Sequence, residues 1–139
     1  MNKILFNKDV SVKSNAKISE KINIENSVFT HQIAKIFFST SLQKLIFNFI
    51  ENVFQMVVET KCFLETDYDF ISRLLGSSNL QIDSEVEVYN ALNKWLSYNM
   101  EERSQYAKQL LLKVRLNLLS DNSLKYILSE SSCITMNNE

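Results

Sequence analysis

The 139-residue chain has no proline and one glycine, Gly76. Turn-rich β architectures use both, glycine for positive φ and proline for a fixed φ. Their scarcity points to helices joined by short polar connections. Histidine occurs once, as His31, so any imidazole-dependent base or metal site would rest on that residue. Cys62 and Cys133 lack metal-binding spacing; free thiols in a reducing compartment are expected, with a disulfide as the lesser alternative. Net charge is −1, with neither the basic excess of a nucleic-acid binder nor a polyacidic tail. No run is long and apolar enough to span a bilayer, and the opening MNKILFNKDV lacks the continuous apolar core of a signal peptide. A cytoplasmic protein, cytosolic or nuclear, is expected, with neither nucleic acid nor membrane as a partner. A glycine-rich phosphate loop, a GxSxG elbow and zinc spacing are all missing, so no cofactor, no metal and no catalytic activity are expected.

What is present is ordinary for one folded domain: 45% hydrophobic and 22% charged residues. The stretch Ser84–Leu119 organises the rest. Ser84 with Glu87 reads as a capping box opening a helix. Val88, Ala91, Leu92, Trp95 and Leu96 recur at three- and four-residue steps and share one face. Asn99 with Glu102 repeats the cap signature, and Tyr106, Leu110, Leu111 and Val114 continue a second apolar face. Two such helices bury each other's stripes, and the predicted fold is an all-α stack of antiparallel helical pairs.

Upstream, Ile4–Phe6 is an apolar scrap, and residues 12–24 carry Ala16, Ile18 and Ile22 in a weak helix. Asn26 is a candidate cap for a helix with Val28, Ile33, Ala34 and Phe37 on one face, from which Phe29 and His31 fall away. One long helix is expected over Ser41–Val58, with Leu42, Leu45, Ile46, Phe49, Ile50, Val53, Phe54 and Val57 inward. Gln43, Lys44, Asn48, Glu51 and Asn52 face out; without a lysine belt, this stripe is core rather than membrane-surface. Asp67 or Asp69 caps a short helix through Leu75, which Gly76 closes in the left-handed conformation. A last helix carries Leu124, Ile127 and Leu128, and residues 131–139 read as a disordered tail.

The candidate reactive residues have plainer readings. His31 has Lys35 one turn on and no acid in register, as a solvated surface histidine would. Asp67 and Asp69 are caps or loop residues, and Glu101-Glu102-Arg103 is a solvated helix start with acids near the positive dipole end.

The run from Phe63 to Leu119 resembles the BACK domain of BTB–Kelch proteins. The resemblance rests on Phe63-Leu64, Leu74-Leu75, Leu80, Ile82, Ser84-Glu85, Val88, Ala91, Trp95, Arg103, Val114-Arg115-Leu116 and Leu118-Leu119. Asn26-Ser27, Ala34, Leu42, Phe54 and Val57 resemble the preceding helix pair, the 3-box, and Leu5–Val10 resembles the end of a BTB domain. Two positions depart from the pattern: Asn117 stands where the family usually has proline, and Ser27 where cysteine is common. The implied organisation is a BTB remnant over 1–11, 3-box-like helices over 12–58, a BACK helical domain over 59–130 and the tail over 131–139.

In proteins of this type BTB binds cullin-3, Kelch repeats bind substrate, and BACK holds the two apart for ubiquitin transfer. The resemblance therefore implies a non-catalytic connector of a cullin-3 ubiquitin-ligase adaptor, lacking the BTB domain and Kelch repeats. Leu92, Trp95, Leu111, Leu116 and Leu119 are its expected structural core. Phe29, His31 and Gln32 are the candidate partner contact, with cullin-3 binding weak in the absence of BTB. Arg115 is expected to meet helix-end carbonyls or a carboxylate such as Glu85 or Glu87. A free-standing helical peptide- or protein-binding module and a truncated, non-functional fragment are the alternatives.

Overall fold

The computed structural model describes residues 17, 20–37 and 39–136, with side chains described as far as residue 130. Among these residues there are helices and no strands. The α-helices are α1 (Ser27–Ile36), α2 (Thr40–Asn52), α3 (Phe54–Val57), α4 (Lys61–Leu64), α5 (Tyr68–Leu75), α6 (Glu85–Tyr98), α7 (Met100–Arg103), α8 (Ala107–Leu111) and α9 (Asp121–Met136). Short 3₁₀ turns at Ser104–Tyr106 and Leu116–Leu118 complete the chain. The expected BTB remnant over 1–11 and most of the weak helix over 12–24 lie outside the described residues; Ile22 and Ile24 pack half-buried on the core.

Helix α6 is central because its apolar positions recur almost all the way round one side. Val88, Tyr89, Ala91, Leu92, Trp95 and Leu96 are all buried, and α4, α7, α8 and α9 pack against it. Its start is capped one residue away from the expected box. The Ser84 hydroxyl accepts from Val86 N at 3.2 Å, and the Glu87 carboxylate accepts from Asp83 N at 3.2 Å. Helices α1 and α2, separated by residues 37–39, pack on each other and bury Val28 and Ala34 against Leu42, Ile46, Phe47 and Ile50. Asp67 caps α5, accepting from Phe70 N at 2.9 Å, and Thr60 caps α4, accepting from Phe63 N.

Several expectations give way to tertiary packing. The long helix over Ser41–Val58 is two helices. Val53 leaves helical geometry at φ −115°, and its carbonyl starts a new turn that carries Phe54 and Val57 into the core. Within α2, Phe47 is buried while Leu45 is 45% exposed. Glu51, placed on the polar side by periodicity, is buried as well. The 77–82 loop folds over it: Ser77 donates its hydroxyl to the carboxylate, and Gln81 N donates to the Glu51 carbonyl. Gly76 is right-handed, φ −81°; a Cβ there would lie 3.2 Å from the Ser72 carbonyl and 3.4 Å from the Lys113 side chain. The second half of the central pair is not one helix but α7, a 3₁₀ turn and α8. At the C-terminus α9 runs to Met136, so the segment from 131, expected to be disordered, is helical over its first six residues. Leu128 of α9 is exposed, because Ile127 takes the inward position.

Candidate functional site

A polar cluster in the helical stack surrounds Trp95. The indole is buried, and its Nε1 donates to the Thr66 carbonyl at 3.0 Å. Asn99 interrupts the helix after α6 and caps α7, its side chain accepting from Glu102 N. That break turns Arg103 back over α6. Arg103 Nη1 donates to the Trp95 carbonyl at 2.6 Å, Nη2 donates to the Thr66 carbonyl at 3.3 Å, and the guanidinium carbon sits 4.1 Å from the indole centre. One cation thus closes the C-terminal end of α6, where carbonyls lack helical partners, and ties it to the α4–α5 connection. Burial lowers the Arg103 pKa below its ordinary value, opposed by Tyr98 and Glu102. Tyr106 stacks on Tyr68 at 4.5 Å and extends the cluster to α5.

The residues expected to form the structural core fall in two groups. Leu92 and Trp95 are buried, whereas Leu111, Leu116 and Leu119 are half-buried and pack on the edge of the core. In α8 the fully inward position belongs to Leu110. Arg115 meets Glu85: its backbone N donates to Glu85 Oε2 at 3.2 Å, and Nη1 lies 4.0 Å from Oε1. The carboxylate is buried while the arginine side chain is 39% exposed.

The candidate partner face does not hold together as expected. Phe29 is exposed and Gln32 half-buried, but His31 is buried, only 4% exposed. The imidazole packs between Phe47 of α2 and Phe70 of α5, with ring centres 5.7 and 5.3 Å away. Val28, His31 and Ala34 recur at three-residue steps, so His31 shares the buried face of α1 rather than falling away from it. Burial, then the Arg73 and Lys35 charges, lower the His31 pKa to about 4, with Asp67 acting in the opposite sense. The imidazole is therefore neutral at pH 7. The exposed apolar side chains of α1 and its C-cap are instead Phe29, Ile36 and Phe37.

Of the other reactive candidates, Asp67 and Asp69 line one cleft with His31, whereas Glu101 and Glu102 do not. Asp67 is engaged as a helix cap, while Asp69, Glu101 and Glu102 are exposed. No group of three or more His, Cys, Asp or Glu side chains able to hold a metal occurs among the described residues. Cys62 is a free thiol, and the Cys133 side chain lies outside the described ones. No described helix is long and apolar enough to cross a membrane. A groove runs beside α6, with about 320 Å³ over Phe54, Val58 and Ala91 and about 530 Å³ over Val58, Leu64 and Tyr98. The Lys94–Glu59 ion pair lies between its two halves.

Known proteins match this sequence along most of its length. The sequence model of BACK, "BTB And C-terminal Kelch", matches residues 28–129. Human "Kelch repeat and BTB domain-containing protein 2" is 32% identical over 113 residues, which are 81% of this chain and 18% of the relative. Mouse "Kelch repeat and BTB domain-containing protein 3" is 27% identical over 120 residues, 86% of this chain and 20% of the relative. Chicken "Kelch-like protein 7" is 29% identical over 122 residues, 88% and 21% respectively. The chain spans about a fifth of the length of these relatives.

Proposed function

Because this chain belongs to the BACK family of BTB–Kelch proteins, we propose that it is a non-catalytic connector of a cullin-3 ubiquitin-ligase adaptor, fixing the orientation of substrate-binding repeats. The observation that carries this reading is the Arg103 tie. A single guanidinium joins the end of α6 to the α4–α5 connection through two carbonyls and a ring face. A device of that kind resists bending between helical pairs, and close packing around Trp95 does the same. In this reading Leu92 and Trp95 set the spacing at the centre, and Leu111, Leu116 and Leu119 seat the last helices on it.

Cullin-3 affinity in this scheme belongs mainly to BTB, and Phe29 and Gln32 on α1 supply at most a supporting contact. Binding energy concentrates in a few buried anchors, so these 139 residues by themselves bind little. Calorimetric titration against the cullin-3 N-terminal domain, with a BTB-containing family member as positive control, tests this. Weak or undetectable heat is expected; affinity matching the control would make this chain an autonomous cullin binder.

One observation favours a second reading, a helical module that binds a peptide directly. The groove beside α6 has an apolar floor and is open to solvent. A connector does not require such a groove, whereas a peptide receptor does.

A further inference from the structure

Helix α1 buries Val28, His31 and Ala34 on one side and carries four apolar residues on the other: Phe29, Ile33, Ile36 and Phe37. Steps of four and three residues make these one row. Phe29, Ile36 and Phe37 are 57, 69 and 76% exposed, and Ile33 is half-buried. A cluster of large apolar side chains left open to water marks a contact surface. We propose that it is a self-association surface, on which a second copy of this chain lays its own α1 antiparallel, about a two-fold axis at Ile33.

Three observations select a copy of the chain as the occupant. The first is symmetry. Phe29 and Phe37 stand four residues before and four residues after Ile33, about 6 Å to either side along the helix. The Phe37 N–H donates to the Ile33 carbonyl at 3.1 Å, so the helical course holds as far as that residue. An antiparallel crossing at Ile33 therefore sets Phe29 of each copy against Phe37 of the other, and Ile33 against itself, as an isologous contact requires. The second is charge. Lys35 is the one charged side chain of α1 at neutral pH, and at six residues from Phe29 it lies off the row. The row gives an acidic or basic partner nothing to match, whereas a copy meets it with no like charges opposed. The third is polar satisfaction. The same crossing puts Ile36 over Thr30, whose hydroxyl already donates to the Asn26 carbonyl at 2.8 Å, so burying it strands no donor.

The available area sets the strength. A whole aromatic side chain buries about 150–250 Å², so the exposed parts of Phe29 and Phe37 supply on the order of 250 Å² per copy. With Ile36 and the open part of Ile33, both copies together lose on the order of 800–1,000 Å², which lies in the range of weak, reversible contacts. The expected dimer is therefore concentration-dependent rather than permanent. This inference goes beyond the connector role and does not depend on it.

The test uses the intact chain in reducing buffer, so that no disulfide links the copies. Sedimentation velocity from about 10 μM to about 1 mM should show a reversible rise in weight-average mass toward twice the monomer, with a dissociation constant of about 100 μM. Phe29→Lys and Phe37→Glu change exposed positions, and each should weaken association at least roughly tenfold. Circular dichroism verifies that both are folded. An equimolar mixture of the two variants should associate again, because the introduced ammonium of one copy then faces the introduced carboxylate of the other. A monomer throughout the range overturns the proposal and leaves the row to residues 1–16 or to a different protein. So does a dimer that both folded variants leave intact, or a mixture no more associated than either variant alone.

Discussion

Arg103 and Trp95 meet twice: the guanidinium covers the indole at 4.1 Å, and its Nη1 donates to the Trp95 carbonyl at 2.6 Å. The residue that ends α7 thereby holds the residue at the heart of α6. Arg103→Ala removes two charged donors from helix-end and loop carbonyls, costing about 1.5–3 kcal/mol for the hydrogen bonds. Arg103→Lys recovers less than half, because an ammonium does not reproduce the planar fork. Urea denaturation followed by Trp95 fluorescence reads both; equal stability of the lysine variant and the parent would contradict the geometry.

Trp95 itself is the largest fully buried side chain. Trp95→Ala deletes that volume and leaves the cavity, an expected loss of about 3–5 kcal/mol. This is a large part of a small domain's stability, so the variant should be partly unfolded at 37 °C. Circular dichroism during thermal melting measures it, and an unchanged midpoint would place Trp95 outside the core.

Much of this centre was legible in the sequence. The α6 stripe and a cap at Asp67 or Asp69 follow from short-range spacing, and the family pattern leads Arg115 to helix-end carbonyls or to Glu85 or Glu87; the structure selects Asp67, and Glu85 mainly through the Arg115 backbone N–H. What periodicity could not reveal was long-range. Glu51 is placed on the polar side of its helix by periodicity, and the 77–82 loop buries it. His31, by contrast, stands three residues from both Val28 and Ala34, so its inward position is a matter of short-range spacing. Arg103 was recognised as a family position, but its reach back to Trp95 depends on the break at Asn99. The break at Val53 and the right-handed Gly76 likewise reflect packing that single-helix patterns do not encode.

The burial of His31 gives a pH dependence of known sign. Its pKa falls from 6.5 to about 4 on folding, so between those values the unfolded chain binds a proton that the folded chain does not. Stability from this group is complete above pH 6.5 and is lost as pH falls toward 4. Comparing the parent with His31→Phe in urea at pH 7, 5.5 and 4 isolates it. The parent should lose more stability than the variant across that range, and parallel losses would mean that His31 is solvated.

Glu85 and Arg115 separate a backbone contact from an ion pair. Glu85→Ala leaves the Arg115 N–H without its acceptor in a half-buried site, with an expected loss of about 1–3 kcal/mol. Arg115→Ala removes only a long ion pair between a partly exposed arginine and the buried Glu85 carboxylate, and should cost about 1 kcal/mol, less than Glu85→Ala. Chemical denaturation of the two variants decides, and the reverse order would show that the side-chain pair dominates.

The connector role rests on stiffness between the first and last helical pairs, and a distance distribution measures that directly. With Cys62→Ser and Cys133→Ser as background, spin labels go on exposed positions of α2 and α9, as Lys44→Cys and Lys125→Cys. A reference pair, Asn90→Cys and Ser97→Cys, lies within α6. Double electron–electron resonance should give the α2–α9 pair one distance peak, as narrow as the reference, and Arg103→Ala should broaden it. A broad or multiple distribution in the parent would contradict the account, because a chain that bends between its helical pairs cannot fix the orientation of anything attached to it.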